Sequence, residues 1–100
     1  MTKVIIVGDG PGGLSTALFL AKKGLDVTVF GKDQTAMHYA ELYNYLGIPK
    51  ILGSDFQKIA RQQVSDFGAN LQDALVTEVA KVDDSFTVTT EDGVAHAAKY

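Results

Sequence analysis

Apolar residues along the chain fall into a sequence of distinct periods. Val4–Val7 is an unbroken β-branched run, the pattern of a strand buried on both faces. Leu14, Ala17, Leu18 and Ala21 then recur at helical spacing. Lys22 and Lys23 close that helix and Gly24 stops it. Asp26–Phe30 predicts a second strand. Phe56, Ile59, Ala60, Val64 and Phe67 make a second apolar helical stripe, ended by Gly68. Ser54-Asp55-Phe56-Gln57 at its start has the form of a capping box, and Lys58 and Arg61 are expected on its solvated face. Ala69–Leu71 predicts a short third parallel strand. Val76–Val82, Ser85–Thr90 and Val94–Tyr100 alternate with period two between polar turns, as an antiparallel meander does.

Between these segments, residues 32–53 carry few regular signals. A stretch of roughly twenty irregular residues is usually functional or disordered. Tyr39, Tyr43 and Tyr45, with Met37 and Leu46, fit either a wall beside a flat ring or a seal over the end of the core, with a short helix around 36–44.

The break between the first strand and helix carries the chemistry. Gly8, Gly10 and Gly13 match G-x-G-x-x-G where a buried strand hands over to a helix, within one βαβ unit. Gly8 permits the sharp turn, Gly10 lets a phosphate approach the backbone, and Gly13 allows close packing of the helix. Pro11 suits the first helical position, and the unpaired early amides, including that of Gly12, face a ligand at the positive end of the helix dipole. This is the pattern that binds the pyrophosphate of a dinucleotide. Asp9 is a carboxylate beside that phosphate site and is expected to point away from it.

One part of the fingerprint is missing. An acid that would bind a ribose hydroxyl belongs at the end of the second strand, where this chain has Gly31, Lys32 and Asp33. Asp33 reaching back, backbone groups of Gly31 and Lys32, a 2′-phosphate on Lys32 (hence NADP), and no ribose recognition all remain open.

The 100 residues suit a single α/β domain. A net charge of −3 with dispersed basic residues gives no support for nucleic-acid or membrane-surface binding. No apolar run reaches membrane-spanning length and the amino end carries no signal-peptide pattern, so the expected location is cytoplasmic. There is no cysteine, which removes disulfides, thiolate metal sites and a dithiol redox centre from these residues. His38 and His96 are too far apart in sequence to suggest a metal site, and no residue offers itself as a catalytic acid, base or nucleophile.

The order of elements resembles the N-terminal half of the FAD domain in thioredoxin reductase-like flavoproteins. The resemblance rests on the opening glycine turn, on Asn44-Tyr45-Leu46-Gly47-Ile48-Pro49 beside that family's Asn-Tyr-Pro-Gly-Phe-Pro, and on the helix ending Phe67-Gly68-Ala69. It implies a Rossmann-like FAD/NAD(P)-binding fold over residues 1–100, with a short parallel sheet, flanking helices and a three-stranded meander, truncated relative to the family. It further implies FAD, with the pyrophosphate at Gly8–Gly13, the adenosine near Gly31, Lys32 and Asp33, the backbone near Val79 close to the adenine, and Met37 to Asn44 toward the flavin. The chain lacks the acid at position 31 and the Gly-Gly-Gln phrase of that family, and it stops short of the strand ending Ala-Thr-Gly. A sheet without that neighbour leads us to expect self-association or a completing chain. The alternatives to an FAD-dependent oxidoreductase are an NADP-binding Rossmann domain and a non-catalytic nucleotide-binding or assembly fragment.

Overall fold

The computed structural model describes residues 1–100. β1 (Lys3–Val7) leads through the glycine turn into α1 (Pro11–Lys22) and back to β2 (Asp26–Gly31). A 3₁₀ turn (Ala36–Tyr39) and a minimal hairpin of β3 (Glu41–Leu42) and β4 (Ile51–Leu52) precede α2 (Gly53–Asp66) and β5 (Asn70–Asp73). The meander follows as β6 (Val76–Val82), β7 (Ser85–Thr90) and β8 (Ala95–Ala98). The main sheet is parallel with order β1-β2-β5, and the meander is a separate antiparallel sheet with order β6-β7-β8.

Central position explains the composition of β2. Val27 and Val29 point to the helices and form the core with Leu14, Ala17, Val64 and Ala69. Thr28 and Phe30 point the other way and are also buried, because the meander covers that face. There the Phe30 ring packs on His96 of β8 at 4.8 Å. The domain is therefore helices, parallel sheet and meander in three layers, with both strand-to-helix connections on one side of the sheet.

Several expectations need correction. No Ser54 capping box forms: α2 begins at Gly53 with Leu52 as its cap, and the Gly53 amide donates to the Ala40 carbonyl at 2.8 Å. The capping box of this chain lies instead at Thr35 and His38, on the 3₁₀ turn. Gln57 is buried in the interior instead of reaching back along its own helix. The predicted stripe on α2 is only partly internal, since Val64 is buried but Ile59 and Phe67 are exposed. Tyr39, Tyr43, Tyr45 and Leu46 are exposed too, so they do not seal the core; the Tyr45 ring lies tilted against Phe56 at 5.6 Å.

The outer edge of β1 is met by the last two residues. The Lys99 amide donates to the Lys3 carbonyl at 3.0 Å, and the Ile5 amide donates to the Tyr100 carbonyl at 2.9 Å. Val7, beyond this pairing, is half exposed.

Candidate functional site

The turn after β1 is held by its own backbone. Gly8 has φ +106°, a left-handed conformation that suits glycine, and its amide donates to the Phe30 carbonyl at 2.8 Å. Gly13 packs so closely that a Cβ there would run into the Gly8 carbonyl. Gly10 caps α1 in extended conformation and Pro11 takes the first helical position. The amides of Gly10, Gly12 and Gly13 make no hydrogen bond to other backbone groups. A Cβ on Gly10 would meet only Thr35 Cγ2, at 3.9 Å, and one on Gly12 would meet nothing. The turn thus offers free donors, open approach and the positive end of a helix in one place, the combination that suits an anion.

Beside it lies a cavity of about 360 Å³. Its walls come from Gly8 and Gly10 in the turn, Gly31 and Lys32 at the end of β2, Thr35 in the following loop and Val76 at the start of β6. The structure therefore brings the glycine turn together with Gly31 and Lys32. Asp33 stands behind that wall, with φ +54° and its carboxylate 3.2 Å from His38 Nε2. Met37 sits in the 3₁₀ turn, Asn44 in a separate surface hollow and Val79 in the middle of β6, all outside the cavity walls.

Two charged features frame the cavity. Lys32 Nζ donates to Glu91 Oε1 at 2.9 Å and lies 3.8 Å from Asp73, on exposed surface. The Glu91 hydrogen bond and charge, then the Asp73 charge, raise the lysine pKa above its ordinary 10.5. Asp9 is 5% exposed, and its carboxylate takes no hydrogen bond from the free amides. Its Oδ2 accepts from Arg61 Nη1 at 2.6 Å and from the Asp33 amide at 2.9 Å, and its carbonyl accepts from Gln57 Nε2 at 3.0 Å. The expected solvated Arg61 is instead an ion-pair partner, three-quarters covered.

Sequence reasoning passed over this brace. Its trace is the polar pair Gln57 and Arg61 at (i, i+4), in line with buried Val64, on a helix whose inner face should be apolar. The rest of the molecule offers little other chemistry. His38 caps the 3₁₀ turn and His96 packs on Phe30, and there is no grouping of side chains able to hold a metal ion. No helix is long and apolar enough to cross a membrane.

A parallel strand, a glycine turn and an amide-lined helix start, backed by a meander, define a Rossmann-like α/β fold. The chain belongs to the pyridine nucleotide-disulphide oxidoreductase family, whose model matches residues 2–100. It is 37% identical over 101 residues to a thioredoxin reductase of Streptomyces clavuligerus, covering 96% of this chain and 31% of that one. A ferredoxin–NADP reductase of Thermus thermophilus is 32% identical over 107 residues, covering 98% of this chain and 32% of that one. Among solved structures, the atypical thioredoxin reductase TRi of Desulfovibrio vulgaris Hildenborough superposes with a TM-score of 0.89 at 34% identity, over 98% of this chain and 33% of that one. The chain spans about a third of the length of the curated relatives it matches.

Proposed function

We propose that this chain is the FAD-binding part of a thioredoxin reductase-like, flavin-dependent oxidoreductase. The amides of Gly10, Gly12 and Gly13 receive the pyrophosphate, and the adenosine lies in the cavity toward Gly31 and Lys32. One observation carries the reading: the helix start whose early amides are unpaired adjoins, through Gly10, a cavity that also reaches Gly31 and Lys32. The residues present fit the group, since Gly10 and Gly12 leave the approach to those amides unobstructed. When bound, the flavin supplies the electron transfer, and the protein binds and orients it. Asp33, Met37, Asn44 and Val79 remain proposed contacts through the family resemblance alone.

NADP in place of FAD is the weaker reading. A 2′-phosphate at Lys32 competes with Glu91 and Asp73, which already hold that cation. Full activity requires further parts, and the β1 edge beyond Ile5 is where another strand, from a continuing chain, a second copy or a partner, would pair. Isothermal titration of the purified protein with FAD and with NADPH tests the assignment. Saturable FAD binding tighter than NADPH supports it; NADPH binding with none of FAD reverses it.

A further inference from the structure

Position 31 has no side chain, and the structure supplies a reason. A Cβ built on Gly31 would overlap the carboxyl group of Asp9 and lie 2.7 Å from the Asp9 Cβ. These atoms belong to rigid or buried parts of the fold, because Asp9 is pinned by Arg61, Gln57 and the Asp33 amide. The Asp9 carboxyl therefore occupies the volume from which a side chain at the end of β2 would grow. The two positions exclude each other: an acid comes from the glycine turn or from the strand end, not both.

We propose that Asp9 supplies the carboxylate that accepts a hydrogen bond from the adenosine ribose, in place of the acid missing at position 31. This rests on the FAD reading above. Oδ2 is used by Arg61 and the Asp33 amide, while Oδ1 accepts no hydrogen bond. Gln57 Oε1 is the one buried side-chain polar atom left without a partner, so Asp9 Oδ1 is unpaired yet still reachable. Asp9 forms part of the cavity wall beside Gly31 and Lys32. An unused carboxylate oxygen in a side chain that is otherwise fixed is a preformed acceptor for a hydroxyl. Arg61 and the Asp33 amide orient it, so the ligand need not order it on binding. Asp33 is not placed for this role, because unlike Asp9 it is no part of the cavity wall, and its Oδ1 faces His38 and Arg61.

The test is an exchange of the acid between the two positions. FAD affinity is measured for wild type, Asp9→Gly, Gly31→Asp and the double variant, and each is titrated with ADP, 2′-deoxy-ADP and 3′-deoxy-ADP. Asp9→Gly is expected to weaken FAD binding about tenfold to hundredfold, the range for a hydrogen bond to a charged group. It also removes the preference for ADP over the deoxy analogue whose hydroxyl is read. Gly31→Asp alone loses binding by crowding, and the double variant recovers both affinity and hydroxyl preference. A purely structural Asp9 would weaken ADP and both deoxy analogues equally, leaving their ratios unchanged, and that result overturns the proposal. If Asp9→Gly does not fold, the double variant decides, and a folded double variant without hydroxyl preference overturns it as well. Wild type that fails to bind FAD overturns the functional reading and this inference together, whereas FAD binding indifferent to Asp9→Gly overturns only the inference.

Discussion

Lys32 Nζ lies 2.9 Å from Glu91 Oε1, joining the end of β2 to the turn between β7 and β8 across 59 positions of sequence. The only cation at the cavity mouth is thereby engaged with a carboxylate from the meander, and with Asp73 behind it. Wild type is expected to prefer ADP over 2′,5′-ADP. Glu91→Gln combined with Asp73→Asn frees the lysine and shifts that ratio toward 2′,5′-ADP. Calorimetric titration with both nucleotides measures it, and an unshifted ratio removes Lys32 from the nucleotide site.

The same pair adds a small alkaline dependence. The folded-state pKa of Lys32 is raised, so its contribution is complete below the ordinary value of 10.5 and is lost as pH climbs through the higher folded value. Asp92 behaves in the opposite sense. The Thr90 hydroxyl, then the Val94 amide, lower its pKa below 3.8, so its contribution is present above that value and disappears as pH falls through the folded one. Both groups are exposed and both effects are small. Urea unfolding of Asp92→Asn should show a flatter loss of stability below about pH 4 than wild type does.

Glycines ten and thirteen should separate binding from folding. Gly13→Ala forces a methyl into the Gly8 carbonyl and is expected to cost about 1–3 kcal/mol by overpacking. Gly10→Val puts its Cβ in ordinary contact with Thr35 Cγ2, at 3.9 Å, but fills the approach to the amides, so Tm should hold while FAD affinity collapses. Thermal unfolding and FAD titration of both variants check this, and a Gly10→Val protein that binds normally contradicts the placement of the phosphates.

Arg61→Met should be among the most damaging substitutions outside the apolar core. It leaves the Asp9 carboxylate, 6% exposed, without its cation, at a cost of about 3 kcal/mol. Leu14→Ala should cost about 2–5 kcal/mol by opening a cavity between α1, α2 and β2. Chemical denaturation measures both, and an Arg61→Met protein as stable as wild type makes the ion pair incidental.

The sheet, both long helices and the meander were legible in the sequence because each rests on local periodicity and glycine punctuation. α1 stops at Lys22, before Gly24, for the reason its sequence suggests, a glycine at φ +86°. What could not be read locally was the destination of polar side chains. Gln57 looked like half of a capping box, but its partner is the Asp9 carbonyl, 48 residues away. Arg61 looked solvated, but Asp9 calls it inward. The acid missing at Gly31 left ribose recognition open in the sequence, and the carboxyl group that occupies the space beside it comes from a different turn. Such long-range exchanges follow from packing, which no window of sequence contains.

The central claim is that the turn after β1 grips a diphosphate, and amide chemical shifts during FAD titration test it directly. The account predicts that the largest changes in a ¹H–¹⁵N spectrum fall on Gly10, Gly12 and Gly13, with smaller ones at Gly31 and Lys32. Saturable FAD binding that leaves those three glycine amides unmoved would contradict it.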